Sequence, residues 1–390
     1  MNKSLVQSFS VPFTYQVHFT NSVFNSSNLL LRSIVEQEKK TETKKILFIV
    51  DQGVTKAFPT LISNIKYYFK VHHETVNLVS DPIIMPGGEA SKNDPELVKS
   101  VIDAVNDFGI DRHSYIAVVG GGALIDMAGY AAAVAHRGIR LIRIPTTVLA
   151  QNDAAVGVKN SINAYGKKNF IGTFAPPFAV INDFDFLQTL DIRDWRSGIS
   201  EAVKVALIKD KKFFESLKED GPRLAARDMG AMEKLIIRCA EMHLQHIAGG
   251  DPFEMGSSRP LDFGHWAAHK LEHLTNFDIR HGEAVAIGIA MDSTYSFLTG
   301  RIKEEDLNSI LSLLDQVGFT LYHEKLEAKE QDGNYSVIKG LNEFREHLGG
   351  RLTIMLLDKI GKGAEVHELD ENKIIESINY LAKKALKLSF

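Results

Sequence analysis

The sequence predicts an α/β fold in which a doubly wound parallel-sheet domain precedes a mostly α-helical domain. Short continuous apolar runs alternate with helical periods through residues 45–144, as expected for the strands and helices of a parallel sheet. Strand signals become rare after about residue 182. A chain of 390 residues with 44% hydrophobic side chains can form two cores. We therefore expect domains at 1–181 and 182–390, with a cleft between them.

The first domain begins at residues 9–19, whose alternating apolar and polar side chains predict a half-buried strand. Pro12 places that strand towards a sheet edge, because proline cannot donate a backbone hydrogen bond. The continuous apolar run at 45–50 predicts a buried strand. The other elements predicted here are helices at 54–70, 94–108 and 123–135, and strands at 74–79, 115–119 and 140–144.

The second domain is predicted from the helical periods at 213–274 and 282–317. A short strand at 351–357 and an amphipathic helix at 371–386 complete it. Parallel α/β sheets bind their ligands at the carboxyl ends of the strands. Binding residues of the first domain are therefore expected in the loops that follow its strands.

Composition argues against several classes of function. A net charge of −4 without a block of basic residues gives little support to nucleic-acid binding. No apolar run approaches about 18 residues and no basic-then-apolar leader follows Met1, so neither a membrane span nor an export signal is expected. The single cysteine, Cys239, forbids an internal disulfide. We expect a cytoplasmic protein.

A glycine triplet, Gly120-Gly121-Gly122, follows the predicted strand at 115–119. The amides of such a turn and the N-terminus of the next helix can bind a pyrophosphate. The triplet is not the dinucleotide fingerprint, because Ile125 stands where the third glycine would fall. A tight turn without a ligand explains it equally well. Asp51, at the end of the first buried strand, is either a ribose-hydroxyl ligand or a helix cap.

Polar side chains follow the predicted strand at 140–144. Asp153, Lys159, Lys168 and Asn169 lie in this glycine-spaced stretch. Ammonium groups here can hold a substrate phosphate through charge-assisted hydrogen bonds. The alternative is a solvated loop without a binding role.

Two histidines, His265 and His269, stand four residues apart in a helix-forming stretch and therefore share one helix face. A third, His281, begins the next apolar helical run. Glu201 lies in another apolar helical run, three residues before Lys204. Two imidazoles and a carboxylate can form a catalytic zinc site with one open position. The alternatives are structural histidines and an intrahelical salt bridge between Glu201 and Lys204.

Several short motifs occur in a fixed order along the chain. They are PGGEASK at 86–92, GGGALID at 120–126, HRGI at 136–139, PTTVLAQND at 145–153, GKKNFIG at 166–172, SEAVK at 200–204, FGHWAAH at 263–269 and HGEAVAIG at 281–288. With these motifs the chain resembles the 3-dehydroquinate synthase family, the sugar phosphate cyclases, over roughly residues 9–363. The resemblance implies a dehydroquinate synthase-like fold, with an NAD-binding first domain and a metal- and substrate-binding second domain.

The resemblance also implies a set of site residues. A zinc or cobalt ion would be held by Glu201, His265 and His281. The NAD contacts would be Asp51, Glu89, Lys92, Gly121, Gly122, Asp126, Thr146, Thr147, Asp153, Lys168, Phe186 and Thr189. The catalytic and substrate contacts would be Asp153, Lys159, Asn169, Lys204, Asp262 and His269, with Arg137 reaching the phosphate bound by the neighbouring subunit. A homodimer follows from that role of Arg137.

The family's chemistry gives these residues their roles. NAD oxidises one carbinol of a sugar phosphate transiently, which acidifies the adjacent C–H. Phosphate is then eliminated, the hydride returns, and the opened enol closes by intramolecular aldol addition, so NAD is not consumed. The metal polarises the carbinol and later the carbonyl. Asp153 and Lys204 would orient the substrate and stabilise its charge, and His269 would relay a proton.

Three positions depart from the family pattern where the substrate carboxylate binds. Leu244 and Ser258 stand where 3-dehydroquinate synthases carry a lysine and an arginine, and Asp262 replaces an asparagine. A substrate carboxylate would lose two cations and meet an anion. We therefore expect a heptulose phosphate that lacks the carboxylate, as used by the valiolone-forming cyclases.

The alternative is 3-dehydroquinate synthase itself, acting on 3-deoxy-arabino-heptulosonate 7-phosphate, because His269 is retained and Arg259 can stand in for the lost arginine. Two further departures are Asn160 for a threonine and residues 344–346 for an Asp-Lys-Lys motif. The stretches RPLDFGHW and FREHLGG are most similar to dehydroquinate-synthase-like proteins of ebo-type biosynthetic clusters. An NAD- and metal-dependent alcohol dehydrogenase would share the architecture but consume NAD, and a non-catalytic descendant would not need three metal ligands.

Overall fold

The computed structural model describes residues 3–36, 43–249, 252–253, 262–347 and 352–388, and their side chains except at 342–347 and 387–388. These residues form two compact units. The first contains the described residues of Met1–Pro145 and Val158–Asp183, and the second contains Thr146–Gly157 and the described residues of Phe184–Phe390. The segment Thr146–Gly157, which the predicted division assigned to the first domain, packs with the second unit.

A parallel sheet forms the centre of the first unit. In spatial order its strands are β1 (Gln16–Thr20), β9 (Ala179–Asp183), β6 (Arg140–Pro145), β5 (Tyr115–Gly120), β2 (Lys44–Asp51) and β3 (Val76–Leu78), and β4 (Ile83–Met85) also pairs with β2. All these pairs are parallel. Every residue of β5 is buried, as expected for a strand covered on both faces. β1 lies at a sheet edge, as predicted, but it begins at Gln16, so Pro12 precedes the strand and does not lie within it.

Helices connect these strands in the pattern of a doubly wound fold. The helices of the first unit are α1 (Leu30–Glu36), α2 (Gln52–Ala57), α3 (Leu61–Val71), α4 (Pro95–Asp107) and α5 (Gly122–Val134). The chain runs from β2 to β3 on one side of the sheet and from β5 to β6 on the other, so the strand order reverses between β2 and β5. Ligands of such sheets bind outside the carboxyl ends of the strands at this switch point.

The prediction of one helix at 54–70 is wrong, because the structure has two helices there, α2 and α3. α2 ends at Ala57, and the backbone of Phe58 has φ −124° and ψ 79°, outside the helical region. Pro59 follows directly. Proline disfavours helical backbone in the preceding residue and has no N–H to donate. Pro59 therefore causes the break between the two helices. The spacing of apolar residues does not reveal it.

Residues 159–174 form an antiparallel hairpin in a stretch for which no strand was predicted. β7 (Lys159–Ala164) and β8 (Lys167–Phe174) are joined by Tyr165 and Gly166, with φ values of 54° and 71°. Two consecutive positive φ values are typical of a type I′ hairpin turn. Lys159, Lys168 and Asn169 therefore lie on a hairpin and not in a loop.

The second unit is mainly helical over its described residues. Its helices are α6 (Ile192–Lys209), α7 (Lys211–Ala225), α8 (Met229–Ala248), α9 (His265–Leu274), α10 (His281–Leu298), α11 (Glu304–Gln316), α12 (Ser336–His347) and α13 (Glu371–Leu388). β10 (Ile354–Lys359) and β11 (Lys362–Val366) form an antiparallel pair. α10 is buried over most of its length and packs against α6, α9, α11 and α13, so it forms the centre of this unit.

These elements confirm the predicted fold class, a parallel-sheet unit with a mainly helical unit. Among the described helices, none combines the length and the hydrophobicity that a membrane crossing requires.

Candidate active site

Three side chains from separate helices of the second unit converge at one point. Glu201 projects from the middle of α6, His265 is the first residue of α9, and His281 is the first residue of α10. Glu201 Oε1 lies 3.5 Å from His265 Nε2 and 3.5 Å from His281 Nε2. The three ligand atoms are close enough to share one metal ion. The structure thus brings the three predicted metal ligands together.

The second nitrogen of each imidazole faces an oxygen that can only accept. His265 Nδ1 lies 3.1 Å from the carbonyl oxygen of Phe263, and His281 Nδ1 lies 3.3 Å from Glu272 Oε2. Each imidazole, when neutral, therefore carries its proton on Nδ1. The lone pairs of both Nε2 atoms are then free for a ligand, next to the carboxylate of Glu201. Three electron-pair donors at one point fit a bound cation.

The distances between these atoms also fit a metal. Ligands about 2.1 Å from a tetrahedral zinc ion lie about 3.4 Å from one another. The observed separations of 3.5 Å match that spacing and are longer than a normal hydrogen bond. Glu201 is only 1% exposed, yet neither of its oxygens has a hydrogen-bond donor of good geometry among the described residues. Its Oε2 forms an ion pair with Lys204, which leaves Oε1 suited to a metal.

The charges around Glu201 favour positive charge at this point. Burial raises the pKa of Glu201, but the ammonium of Lys204 and the imidazole of His265 outweigh it and hold the pKa well below its usual range. Burial lowers the pKa of His281, but Glu201 and Glu272 outweigh it and raise the pKa to about 9. Burial also lowers the pKa of Lys204, which the nearby carboxylates raise overall. Glu201 is therefore ionised and Lys204 protonated at neutral pH.

Close packing of α10 holds the ligands in place. A Cβ at Gly282 would come within 2.1 Å of the Ser197 carbonyl oxygen on α6. A Cβ at Gly288 would come within 1.9 Å of the Gly264 carbonyl oxygen at the start of α9. Asp292 of α10 accepts a hydrogen bond of 2.8 Å from the backbone N–H of Gly264. Glycine at these two α10 positions lets the three ligand-bearing helices approach one another.

His269 is exposed beside the two ligand histidines. Its ring centroid lies 5.5 Å from that of His265 and 6.0 Å from that of His281. A second set of residues in the described chain, His269, Glu272 and His281, also has ligand atoms close enough for a metal. This set shares His281, whose Nδ1 faces Glu272 and whose Nε2 faces Glu201. We interpret Glu272 as the group that orients His281, which leaves His269 accessible.

Asp153 belongs to the same electrostatic group but to a different element. It lies in a π-helical turn, Ala150–Ala154, that packs against α6 and α8. Burial lowers the pKa of Lys204, and the carboxylates of Glu201, Asp153 and Asp262 together raise it overall. Asp153 Oδ1 also lies 2.8 Å from His243 Nδ1 on α8. The predicted residues Asp153, Lys204 and Asp262 are thus in one charged neighbourhood with Glu201.

Some of the predicted NAD contacts lie at the carboxyl edge of the sheet in the first unit. Asp51 ends β2 and caps α2, since its Oδ1 accepts a hydrogen bond of 2.7 Å from the Gly53 backbone N–H. This is the capping role that was the alternative to a ribose contact. Gly121 precedes α5 with an extended backbone, and Gly122 is the first residue of that helix. The ends of β2 and β5 are adjacent, so these residues share the switch point.

A buried ammonium connects further predicted contacts in the first unit. Lys92, 4% exposed, donates a hydrogen bond of 2.8 Å to Asp126 Oδ2 and also donates to Asn169 Oδ1. Burial raises the pKa of Asp126, and the attraction of Lys92 does not fully offset it. Asn163 accepts from the Asn169 backbone N–H at 2.9 Å and donates to Glu89 Oε1 at 2.9 Å. The hairpin is thereby fixed to α5 and to the 3-10 helix Glu89–Asn93.

The other predicted residues lie on several elements. Lys159 and Lys168 are on the hairpin, Arg137 follows α5, Thr146 and Thr147 follow β6, and Phe186 and Thr189 belong to the 3-10 helix Phe184–Thr189. Leu244 is half-buried on α8. Ser258, Arg259 and the side chains of 344–346 lie outside the described residues.

Two side chains in the site were not selected from the sequence. Glu272 follows His269 by three residues on α9, so the helical spacing of a carboxylate and a histidine was an available signal. His243 has no metal-ligating or catalytic side chains around it in the sequence that would mark it as part of a site. Its partner Asp153 lies on a distant segment, and folding alone brings the two together.

Two models of known protein families match the chain. Residues 82–197 match the model of the 3-dehydroquinate synthase N-terminal family, and residues 198–336 match that of the 3-dehydroquinate synthase C-terminal family. The chain belongs to the 3-dehydroquinate synthase family. The resemblance inferred from the motifs is thereby confirmed, within the sugar phosphate cyclases.

Individual relatives of this 3-dehydroquinate synthase family member extend the match. The chain is 38% identical over 237 residues, 60% of its length and 66% of the relative's, to the 3-dehydroquinate synthase of Pelobacter propionicus. It is 33% identical to that of Buchnera aphidicola subsp. Baizongia pistaciae, over 92% of this chain and 97% of the relative. Its structure is similar to 2-epi-5-epi-valiolone synthase from Streptomyces hygroscopicus subsp. jinggangensis 5008, solved with NAD+ and Zn2+ bound. That match has a TM-score of 0.85 and 26% identity, and covers 97% of this chain and 100% of the other.

Proposed function

We propose that the protein is a metal- and NAD-dependent sugar phosphate cyclase. The observation that carries the proposal is the convergence of Glu201, His265 and His281 beside the buried ammonium of Lys204. The similarity to 2-epi-5-epi-valiolone synthase, which binds NAD+ and Zn2+, supports it. The proposed reaction consists of transient oxidation of a carbinol, elimination of phosphate, reduction, and intramolecular aldol closure.

In this proposal a zinc or cobalt ion is held by Glu201, His265 and His281, and when bound it supplies polarisation of the carbinol and carbonyl oxygens. Lys204 stabilises negative charge on the substrate oxygen, because its ammonium is buried and protonated. Asp153 and Asp262 orient substrate hydroxyl groups. His269 is exposed next to the metal ligands and relays a proton.

NAD is proposed to bind across the carboxyl edge of the parallel sheet, and when bound it supplies reversible removal of a hydride. The amides of Gly121 and Gly122 at the start of α5 are suited to a pyrophosphate. Lys92 is held in place by Asp126 and Asn169 for a further polar contact. The complete proposed set of NAD contacts is Asp51, Glu89, Lys92, Gly121, Gly122, Asp126, Thr146, Thr147, Asp153, Lys168, Phe186 and Thr189.

The substrate phosphate and hydroxyl groups are proposed to contact Lys159 and Asn169, with Arg137 contributed by the partner subunit of a homodimer. Arg137 is exposed, and both it and His136 have positive φ, 62° and 50°. Consecutive non-glycine residues in this region are strained and persist where the surrounding structure holds them, often at ligand-binding sites. The strained turn supports a binding role for the Arg137 side chain.

The proposed substrate is a heptulose phosphate without a carboxylate. Leu244 on α8 offers no charge where the family resemblance implies a lysine, and Ser258 offers none where it implies an arginine. Asp262 adds a carboxylate close enough to raise the pKa of Lys204. These three residues favour a neutral sugar over an acidic one.

The alternative is that the protein is 3-dehydroquinate synthase, acting on 3-deoxy-arabino-heptulosonate 7-phosphate. The specific observation in its favour is that relatives 38% and 33% identical to this chain carry that name. The retained His269 and the presence of Arg259 next to Ser258 in the sequence are consistent with it. A third possibility, an NAD- and metal-dependent alcohol dehydrogenase, makes a different prediction for NAD.

Incubating the zinc-loaded protein with NAD and a panel of seven-carbon sugar phosphates tests the proposed reaction. We expect release of phosphate without accumulation of NADH, and we expect a small, catalytic amount of NAD to suffice, because the hydride that leaves the substrate returns to it. Phosphate release and absorbance at the NADH band are measured together. Growth of NADH in proportion to substrate consumed would support the dehydrogenase instead, and no phosphate release from any member would contradict the cyclase.

Replacing Glu272 with alanine should weaken metal binding. Glu272 Oε2 faces His281 Nδ1 at 3.3 Å, and a carboxylate in this position holds a ligand histidine in the correct orientation. Loss of such a partner typically costs about 10- to 100-fold in metal affinity. Competition with a chromogenic chelator measures the change. Glu272→Gln keeps an acceptor and should lose less, and Glu241→Ala on exposed α8 surface is the matched control. Equal metal affinities in all these proteins would show that Glu272 has no such role.

A further inference from the structure

The contact between His243 and Asp153 is not explained by the proposed roles of the site residues. His243 Nδ1 lies 2.8 Å from Asp153 Oδ1, a close polar contact in which the ring does not have the angle of a good hydrogen bond. His243 is on α8 and Asp153 is on the π-helical turn that packs against this helix. Both side chains are partly buried: 14% of the His243 side chain and 30% of the Asp153 side chain is exposed.

The surroundings of His243 argue that α8 presents this face to the charged site. Cys239, one helical turn before His243, is a buried thiol whose pKa is raised by burial and by the carboxylates of Asp153 and Glu201. Two successive positions of one helix face, 239 and 243, therefore lie near Asp153. A π-helical turn inside a fold is frequently found at functional sites.

The charges around Asp153 suggest what its contact with His243 does. Burial raises the pKa of Asp153, but His243 and then Lys204 outweigh it and keep the carboxyl ionised. Asp153 shares Lys204 with Glu201, which forms an ion pair with the same ammonium. A carboxylate with no other fixed partner could rotate towards Lys204 and away from a substrate. A second partner on α8 restricts that rotation.

We propose that His243 is a positioning residue, which holds the Asp153 carboxylate in one orientation for the sugar phosphate. This inference rests on the proposed function, because it assigns Asp153 to the substrate site. The imidazole acts through Asp153 and does not itself contact the reacting atoms. A contact without a catalytic consequence would leave turnover unchanged when it is removed.

A double-mutant cycle tests the proposal on the full-length, zinc-loaded protein. His243→Leu removes the contact and keeps an apolar side chain of similar size, and His243→Asn replaces Nδ1 with an amide donor. His246→Leu, on the same helix and paired with Lys209, is the matched control. We expect His243→Leu to lower kcat about 10- to 100-fold with a smaller effect on KM, because a misplaced group loses catalysis more than binding. His243→Asn should recover most of that loss.

The same substitution in an Asp153→Asn background separates a positioning role from an independent one. If His243 acts through Asp153, His243→Leu should change kcat by less than about twofold in that background. Equal losses in both backgrounds would overturn the proposal, as would a kcat for His243→Leu no lower than for His246→Leu. An unmodified protein that releases phosphate from no sugar phosphate contradicts the proposed function instead. In that case, the dissociation constant for NAD is measured for the same set of variants. If the effects of His243→Leu and Asp153→Asn on this constant are additive, the positioning role is overturned.

Discussion

Replacing His265 with alanine will remove the bound metal and the activity together. His265 Nε2 is one of three ligand atoms at one point, and its Nδ1 is fixed by the Phe263 carbonyl oxygen. Two remaining ligands hold a divalent ion much more weakly than three. Without the ion, stabilisation of the developing alkoxide is lost, which is worth several kcal/mol, or about a thousandfold in rate. Metal content by elemental analysis and phosphate release measure the two effects on the same sample.

The matched control for this substitution is His273→Ala. His273 is on the same helix, two turns further on, and its exposed ring contacts Phe277. This variant should keep both its metal and its activity. A His265→Ala protein that retains one tightly held ion per chain would contradict the ligand assignment. So would an experimental structure in which an ion at this site lies more than about 3 Å from Glu201, His265 or His281, given zinc bonds of about 2 Å.

The three proposed metal ligands each have a local signal in the sequence, although the spacing alone also suits structural histidines. His265 begins a helix directly after a glycine, and His281 begins another before one, so each imidazole projects from a helix start. Glu201 is a carboxylate in an otherwise apolar stretch, which marks a buried charge. The family motifs then supplied the grouping. The contact of Asp153 with His243 had no such signal, because it joins two segments that meet only in the folded chain.

Secondary structure was likewise predictable from the sequence only where it has a local signal. Buried parallel strands such as β2 and β5 are continuous apolar runs, and periodicity finds them. β7 and β8 are polar and partly exposed, so their pairing is set by the turn at Tyr165 and Gly166 and by contacts with Lys92. Apolar pattern carries no information on such strands. The sequence could predict the sheet but not the hairpin that carries Lys159 and Asn169.

The charge of the substrate is where this chain should differ most from its family. We expect heptulosonate 7-phosphate to be converted with a kcat/KM at least about a hundredfold below that of a neutral heptulose 7-phosphate. Two charge-assisted hydrogen bonds to a carboxylate are each worth roughly 1.5–3 kcal/mol, and both are missing if Leu244 and Ser258 are the matching positions. Asp262 would repel the carboxylate further, whereas it can accept a hydrogen bond from a hydroxymethyl group.

The double substitution Leu244→Lys with Ser258→Arg restores both cations and should shift the preference towards the acidic substrate. The control, Leu244→Gln with Ser258→Gln, adds uncharged polar side chains. A gain in preference for the acidic substrate that depends on the positive charges should appear with Leu244→Lys and Ser258→Arg but not in this control. The ratio of kcat/KM for the two sugar phosphates is measured for each protein. Efficient conversion of heptulosonate 7-phosphate by the unmodified protein would instead support 3-dehydroquinate synthase. Arg259→Ala would then test whether Arg259, next to Ser258 in the sequence, binds the carboxylate instead. Loss of that substitute contact should lower kcat/KM for the acidic substrate and leave the neutral one unaffected.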